Sequence, residues 1–173
     1  MNIQEKAREK MNWFENILHK IPGFKGYYEK EFRRDADRVQ RDFIVSRLRK
    51  VKTGMNTVIQ AASRRKDFEL LREYDLFTKA LDKSIGTIRY ADQGYTGFFD
   101  LVKIREIELD KVYQQDALIV ETADAFSEEF KKLAAAPLEP AGLIPLREKL
   151  DKILGLFEQR TALLKGHEKG EIK

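Results

Sequence analysis

The chain has 173 residues, of which 42% are hydrophobic and 36% are charged, and its formal net charge is +4. This length suits one domain, and the absence of cysteine excludes disulfides, thiolate metal sites and cysteine nucleophiles. No apolar run is long enough to cross a membrane and no secretory signal is visible over residues 1–6, so we expect a cytoplasmic protein.

Apolar residues recur at three- and four-residue steps through the first part of the chain, which predicts α-helices. A first helix is expected over 3–20, where a Pro-Gly pair follows it. A second helix begins near Phe32, and Gly54 is expected to end or bend it. Residues 55–62 then form a short third helical segment.

Two longer helices are predicted next. Asp67 is a candidate N-cap for a helix that runs to about Asp92, and Gly86 in its interior indicates close contact with another helix. The longest helix is expected from Phe98 to Ala135, with a heptad-like apolar seam typical of coiled coils. Such a helix is longer than a compact domain of this size is wide, which favours an elongated arrangement.

Polar residues interrupt the predicted apolar stripes. Arg105 and Asp116 occupy seam positions of the long helix. A Pro-rich linker over 137–145 leads into the last helix, and Pro145 suits its first turn. The stripe of this helix consists of Leu146, Leu150, Ile153, Phe157, Arg160 and Leu164. The patterns together predict an all-α fold, an elongated antiparallel bundle of four to five main helices, with one domain over 1–166 and a frayed tail over 167–173.

One seven-residue phrase occurs twice, at 23–29 and at 94–100, and both copies read Gly–aromatic–x–Gly–aromatic–aromatic–acid. The first interpretation is a structural corner between helices, where glycines turn the chain and aromatic rings dock it. The second makes the rings exposed anchors for a partner, as aromatic residues often are at interfaces. The candidate interaction residues are Phe24, Tyr27, Tyr95 and Phe98.

A resemblance accompanies these phrases. The segment Ile-Pro-Gly-Phe-Lys-Gly-Tyr at 21–27, the charged string at 34–38 and Arg-Tyr-Ala-Asp-Gln-Gly-Tyr at 89–95 resemble a family of uncharacterised prokaryotic helical proteins. The resemblance covers about the central 80 residues of the sequence. It implies a helical domain and implies no activity, cofactor or catalytic residue.

Charge is distributed unevenly, because residues 25–66 carry +8 and residues 67–130 carry −8. One interpretation packs the basic and acidic helices side by side; the other leaves a basic face exposed to bind phosphates. Residues 55–62 lack the Trp or Phe typical of an interfacial membrane helix, and base-stacking aromatics are absent from 47–66. The candidate anion-binding residues are Arg47, Arg49, Lys50, Lys52, Arg64, Arg65 and Lys66.

Four aspartates near the repeated phrases, Asp35, Asp37, Asp92 and Asp100, are candidates for a metal site or acid–base work. Each has an arginine or lysine within three or four positions, so ordinary ion pairing is favoured. No Glu-x-x-His pair of the di-iron bundles occurs in the sequence. The sequence therefore predicts no catalytic residue, no metal and no cofactor.

Three functions follow in order of preference. The first is a non-enzymatic interaction or scaffold protein that binds a protein partner or self-associates through its coiled-coil-like seam. The second is a protein that binds nucleic acid or another anionic surface through 47–66. The third is a metal-dependent enzyme that uses the aspartates near the glycine-aromatic turns.

Overall fold

The computed structural model describes residues 33–91, 106–137 and 139–166, which form four α-helices and one short 3-10 helix. No strand occurs within these residues, so the predicted all-α fold is confirmed. The predicted helix over 3–20, both copies of the repeated phrase and the tail over 167–173 lie outside them. The elements are α1 (Arg33–Arg64), α2 (Phe68–Arg89), α3 (Glu106–Ala135), the 3-10 helix (Pro140–Leu143) and α4 (Ile144–Gly166).

Bridging side chains fix the direction of α2 relative to α1. The Nζ atom of Lys52 in α1 lies 2.6 Å from a carboxylate oxygen of Asp82 in α2. Eleven residues earlier in α1, Arg41 donates a hydrogen bond of 3.0 Å to the carbonyl of Ala91, just beyond the end of α2. The two helices are therefore antiparallel.

The second helix pair has the same arrangement and packs against the first. Gln115 near the start of α3 donates to Gln159 near the end of α4, and Lys149 near the start of α4 pairs with Glu129 near the end of α3. α3 and α4 are thus antiparallel, and α1 lies against α3. Since α1 has 32 residues, it is about 48 Å long, which makes the bundle elongated.

One face of each helix supplies the hydrophobic core at the predicted spacing. Phe77 of α2 and Phe126 of α3 are fully buried, and their ring centroids lie 6.4 Å apart across the bundle. Each fully buried side chain of this size contributes about 1.5–3 kcal/mol relative to exposure. The predicted stripes supply buried Leu48, Val51, Met55 and Val58 of α1, Tyr74, Leu81, Ile85 and Ile88 of α2, Val112, Ile119, Ala123 and Leu133 of α3, and Leu146, Leu150, Ile153 and Phe157 of α4.

Local signals account for the helix ends. The Oδ1 atom of Asp67 accepts a hydrogen bond of 3.0 Å from the backbone N–H of Leu70, which confirms the predicted N-cap of α2. Such a cap stabilises a helix by about 1 kcal/mol. α2 ends at Arg89, slightly before the predicted end at Asp92. Pro145 lies in the first turn of α4, as predicted.

Two glycines behave differently from the prediction. α1 continues through Gly54, so the predicted helix end there is wrong, and 55–62 belongs to the same helix. The lack of a side chain at Gly54 has a packing reason, since a Cβ atom there would overlap the ring of Phe130 in α3. At Gly86, where close contact with another helix was predicted, no described neighbour would lie within 4 Å of a Cβ atom.

Candidate functional site

The aromatic candidates for partner binding, Phe24, Tyr27, Tyr95 and Phe98, lie outside the described residues, and their role stays a prediction. The helices that adjoin the two phrases meet at one place, because antiparallel α1 and α2 respectively begin and end at the same end of the bundle. The candidate aromatics belong to the sequence that precedes α1 and follows α2.

The aspartate cluster also stays a prediction. Asp35 and Asp37 belong to the first turns of α1, and their side chains are outside the described set, as are Asp92 and Asp100. Within the three described segments, no group of three or more His, Cys, Asp or Glu side chains is placed to hold a metal ion.

Two of the seven candidate anion-binding residues form ion pairs with neighbouring helices. Arg47 lies 3.0 Å from Asp124 of α3, and its guanidinium stacks over the ring of Phe43 at 4.5 Å from the centroid. Lys52 pairs with Asp82 of α2 at 2.6 Å. At these positions the basic helix and the acidic helices satisfy each other, which was the first interpretation of the charge distribution.

Two more candidates, Arg49 and Lys50, are exposed on α1. Lys50 borders a shallow groove between α1 and α3 that also holds the carboxylates of Asp124 and Glu128. Acids therefore compete for Lys50 with any anionic partner. Neither cation has an ion-pair partner among the described residues.

The last three candidates, Arg64, Arg65 and Lys66, form what we call the basic turn. All three are exposed, and none has an ion-pair partner within the described parts of the chain. The backbone N–H groups of Arg65 and Lys66 donate to the carbonyls of Ala62 and Ser63 at 3.1 and 3.0 Å, which closes the last turn of α1. The turn thus fixes its backbone and leaves its side chains in solvent.

Lys66 has an unusual backbone conformation, with φ at 57°, in the left-handed region. Glycine is the usual residue at this position after a helix, because a Cβ atom there costs about 1–2 kcal/mol. Asp67 follows at once and caps α2, so the reversal between the helices depends on the conformation of Lys66. This cation therefore occupies a position at which stability alone favours glycine.

Exposed apolar side chains lie at the same end of the bundle. Phe68, the first residue of α2, is 77% exposed, and Ile144, the first residue of α4, is 55% exposed. The Arg147 guanidinium of α4 donates to a carboxylate oxygen of Glu73 in α2 at 2.9 Å, which holds the starts of these two helices side by side. The basic turn, Phe68 and Ile144 thus share one end, which we call the turn end.

A buried ion pair lies nearer the opposite end. Arg160 donates a hydrogen bond of 2.5 Å to Asp116, and the two side chains are 1% and 0% exposed. Each residue was recognised as a polar member of an apolar stripe, but helical periodicity within one segment carries no information on contacts across 44 positions. Because the pair is closed to solvent and mutually neutralised, it holds α3 to α4 and offers no charge to a partner.

An unpartnered amide accompanies this ion pair in the interior. Gln40 of α1 is 1% exposed, and neither amide atom has a hydrogen-bond partner among the described residues. A buried polar group left in this way costs about 1–3 kcal/mol. The bundle interior therefore contains an amide whose desolvation is not offset by a hydrogen bond from the described residues, in contrast to the solvated basic turn.

No protein-family model, curated protein or solved structure matches this sequence. Among the described residues, no helix combines the length and the apolar character needed to span a bilayer.

Proposed function

We propose that this protein is a helical interaction module that binds a polyanionic partner through the basic turn, rather than a catalyst. The observation that carries the proposal is the exposure of Arg64, Arg65 and Lys66 on one short turn, without an ion-pair partner among the described residues. Arg47 and Lys52 of the same basic segment are neutralised by α3 and α2. Part of the basic charge of this segment is thus neutralised inside the bundle, and the basic turn is left exposed to solvent.

A purely structural role explains only part of this arrangement. Cations stabilise the carboxyl end of a helix by about 0.3–1 kcal/mol, and this effect is confined to the last turn. Arg64 lies in the last turn of α1 and benefits from it. Lys66 lies beyond the helix in the left-handed conformation, where replacement by glycine would relieve strain. The presence of a charged side chain at Lys66, where glycine would be less strained, supports use of the charge by a partner.

The chemistry of such a surface is neutralisation of phosphates or other anionic groups. Each neutralised phosphate releases counterions, so affinity for a duplex falls with salt at a logarithmic slope of about 0.9 per phosphate contact. The basic turn has no base-reading motif, and we expect binding that depends on charge and is indifferent to nucleotide sequence. The partner is therefore defined by its density of negative charge.

The test compares two charge-reversal variants of equal net charge. Arg64→Glu with Arg65→Glu reverses the basic turn, and Lys79→Glu with Lys83→Glu reverses two exposed cations on the outer face of α2. We expect the parent to bind random-sequence duplex DNA or phosphatidylserine vesicles at about 50 mM salt and to release them toward about 200 mM. The first variant should lose at least about tenfold in affinity and about two units of salt slope.

The matched variant decides the interpretation. If reversal on α2 weakens binding as much as reversal at the basic turn, only net charge matters and the proposed surface is wrong. Absence of binding to both probes at low salt also contradicts the proposal. Circular dichroism of each variant checks that the helices are retained.

Self-association is the second function that we propose, in line with a scaffold role. The apolar seam of α3 packs inside the chain's own bundle, where Ile119 and Phe126 are fully buried, so a second copy needs another surface. Leu76 of α2 and Leu118 of α3 are exposed by 46% and 45% and supply apolar contact on outer faces. Sedimentation velocity should show a dimer or larger species at tens of micromolar that Leu118→Lys dissociates. A compact monomer would contradict this proposal.

A further inference from the structure

The turn end combines cations with exposed apolar side chains. The Glu73–Arg147 ion pair, at 2.9 Å, holds the starts of α2 and α4 together. At about 1.5 Å of rise per residue, Phe68 lies about 7.5 Å beyond Glu73 and Ile144 about 4.5 Å beyond Arg147. Both apolar side chains therefore lie beyond this ion pair, toward the end of the described bundle that carries the basic turn.

Nucleic acid accounts for only part of this surface. Phosphates explain the cations, and a base stacks on an aromatic ring such as Phe68. An aliphatic side chain such as Ile144 has no face for stacking, and its 55% exposure gains nothing from a phosphate backbone. A bilayer interface accounts for all three features, because aromatic and aliphatic side chains enter the acyl boundary while lysine and arginine remain among the headgroups.

We infer that the anionic partner is the surface of a negatively charged lipid bilayer, met end-on by the turn end of the bundle. This inference rests on the proposed function and names its partner class. The geometry differs from that of an interfacial helix, for which residues 55–62 lack aromatics, because here the apolar residues come from the first positions of two helices. Phe68 follows Lys66 by two positions, so headgroup contact and insertion occur at the same turn.

The neighbouring acids offset part of the positive charge, because residues 64–69 hold three cations and the two carboxylates of Asp67 and Glu69, which flank Phe68. The carboxylate of Asp67 caps α2, where it accepts from the N–H of Leu70 at 3.0 Å. At the end of α3, Lys131 pairs with Glu128 at 2.7 Å. The basic turn keeps its three cations, each of which raises affinity for an anionic bilayer by about fivefold.

The chain offers a matched pair of aromatic residues for the test. Phe68 and Tyr90 are each 77% exposed, and they flank α2 at its start and at its end. Phe68→Ser and Tyr90→Ser remove similar exposed rings at opposite ends of the bundle. Because neither ring is part of the core, both variants should unfold in urea at the same midpoint as the parent.

The measurement is co-sedimentation of the full chain with vesicles of phosphatidylcholine, with and without phosphatidylserine, together with duplex DNA titrations. We expect binding only to the phosphatidylserine vesicles, a loss of about tenfold for Phe68→Ser as its buried ring area is lost, and no change for Tyr90→Ser. Arg64→Glu with Arg65→Glu should lower vesicle binding by at least about 25-fold.

Other outcomes overturn the bilayer assignment, and they show whether the proposed binding of a polyanion fails with it. Equal binding to uncharged vesicles, or an unchanged affinity of Phe68→Ser for anionic vesicles, overturns the bilayer assignment. If duplex DNA then still binds in a manner that depends on Arg64 and Arg65, the proposed function stands with nucleic acid as the partner. If neither probe binds, both proposals fail together.

Discussion

The buried ion pair and the basic turn place the same kind of charge in opposite environments. Arg160 is 1% exposed and neutralised by Asp116, whereas Arg64, Arg65 and Lys66 project into solvent. The first arrangement makes charge part of the packing between α3 and α4. The second leaves charge to be neutralised from outside, and this contrast separates residues that hold the bundle together from residues that are available for recognition.

The largest expected effect is the loss of one partner of the buried ion pair. Asp116→Ala removes the carboxylate that pairs with the buried guanidinium of Arg160, and breaking a buried pair in this way costs about 3–5 kcal/mol in the free energy of unfolding. Urea unfolding followed by circular dichroism measures this loss. Arg64→Ala removes an exposed cation at the end of α1 and should change the same free energy by less than about 1 kcal/mol.

A double variant sharpens this prediction. Asp116→Leu with Arg160→Met replaces the ion pair by apolar side chains of similar volume, and such replacements are often neutral or stabilising. We expect the double variant to be more stable than either single one, close to the parent. Equal losses for the single and double variants would show that the two charges do not act as a pair.

The next prediction compares two glycines inside helices. Gly54 packs against a neighbouring side chain, and Gly86 has open space beside it among the described residues. Gly86→Ala should stabilise the protein by about 1 kcal/mol, because alanine favours the helix and no described atom is near enough to clash. At Gly54 the same change forces the ring of Phe130 to move, and overpacking of this kind costs about 1–3 kcal/mol. Urea midpoints that shift in opposite directions would support this account, and equal shifts would contradict it.

The sequence predicts the inward faces of the described helices well, because burial follows a local period. Leu146, Leu150 and Ile153 were assigned to one stripe from spacing alone and are buried. The prediction for Asp67 succeeded for the same reason, since a cap acts within one turn.

Contacts between helices are what the sequence could not supply. The prediction that a helix ends at Gly54 is wrong. The glycine makes room for the ring of Phe130 in α3, and this reason is a contact with another helix. The pairing of Asp116 with Arg160 depends on the register between α3 and α4, which helical periodicity leaves open. The same limit applies to the basic segment. Contacts with the neighbouring helices decide that Arg47 forms an ion pair, whereas Lys66 has no ion-pair partner among the described residues.

The smallest expected effect concerns the charge of Glu129, an acid near the end of α3 that pairs with Lys149. Lys149, which lies 3.3 Å from Glu129, donates a hydrogen bond that lowers the pKa of the Glu129 carboxyl below its ordinary value of 4.5, and Lys132 adds to this. A lowered folded-state pKa stabilises the protein above the ordinary value, and this stability is lost as the pH falls through the folded-state pKa.

Glu129→Gln should therefore reduce the free energy of unfolding at neutral pH by less than about 1 kcal/mol, as for other pairs near the surface. The difference from the parent should vanish in acid, below the pKa of Glu129 in the folded protein. Glu128→Gln, where the side chain is 64% exposed, is the matched control and should have the smaller effect at neutral pH. A difference between parent and Glu129→Gln that persists in acid would show that Glu129 acts through packing and not through its charge.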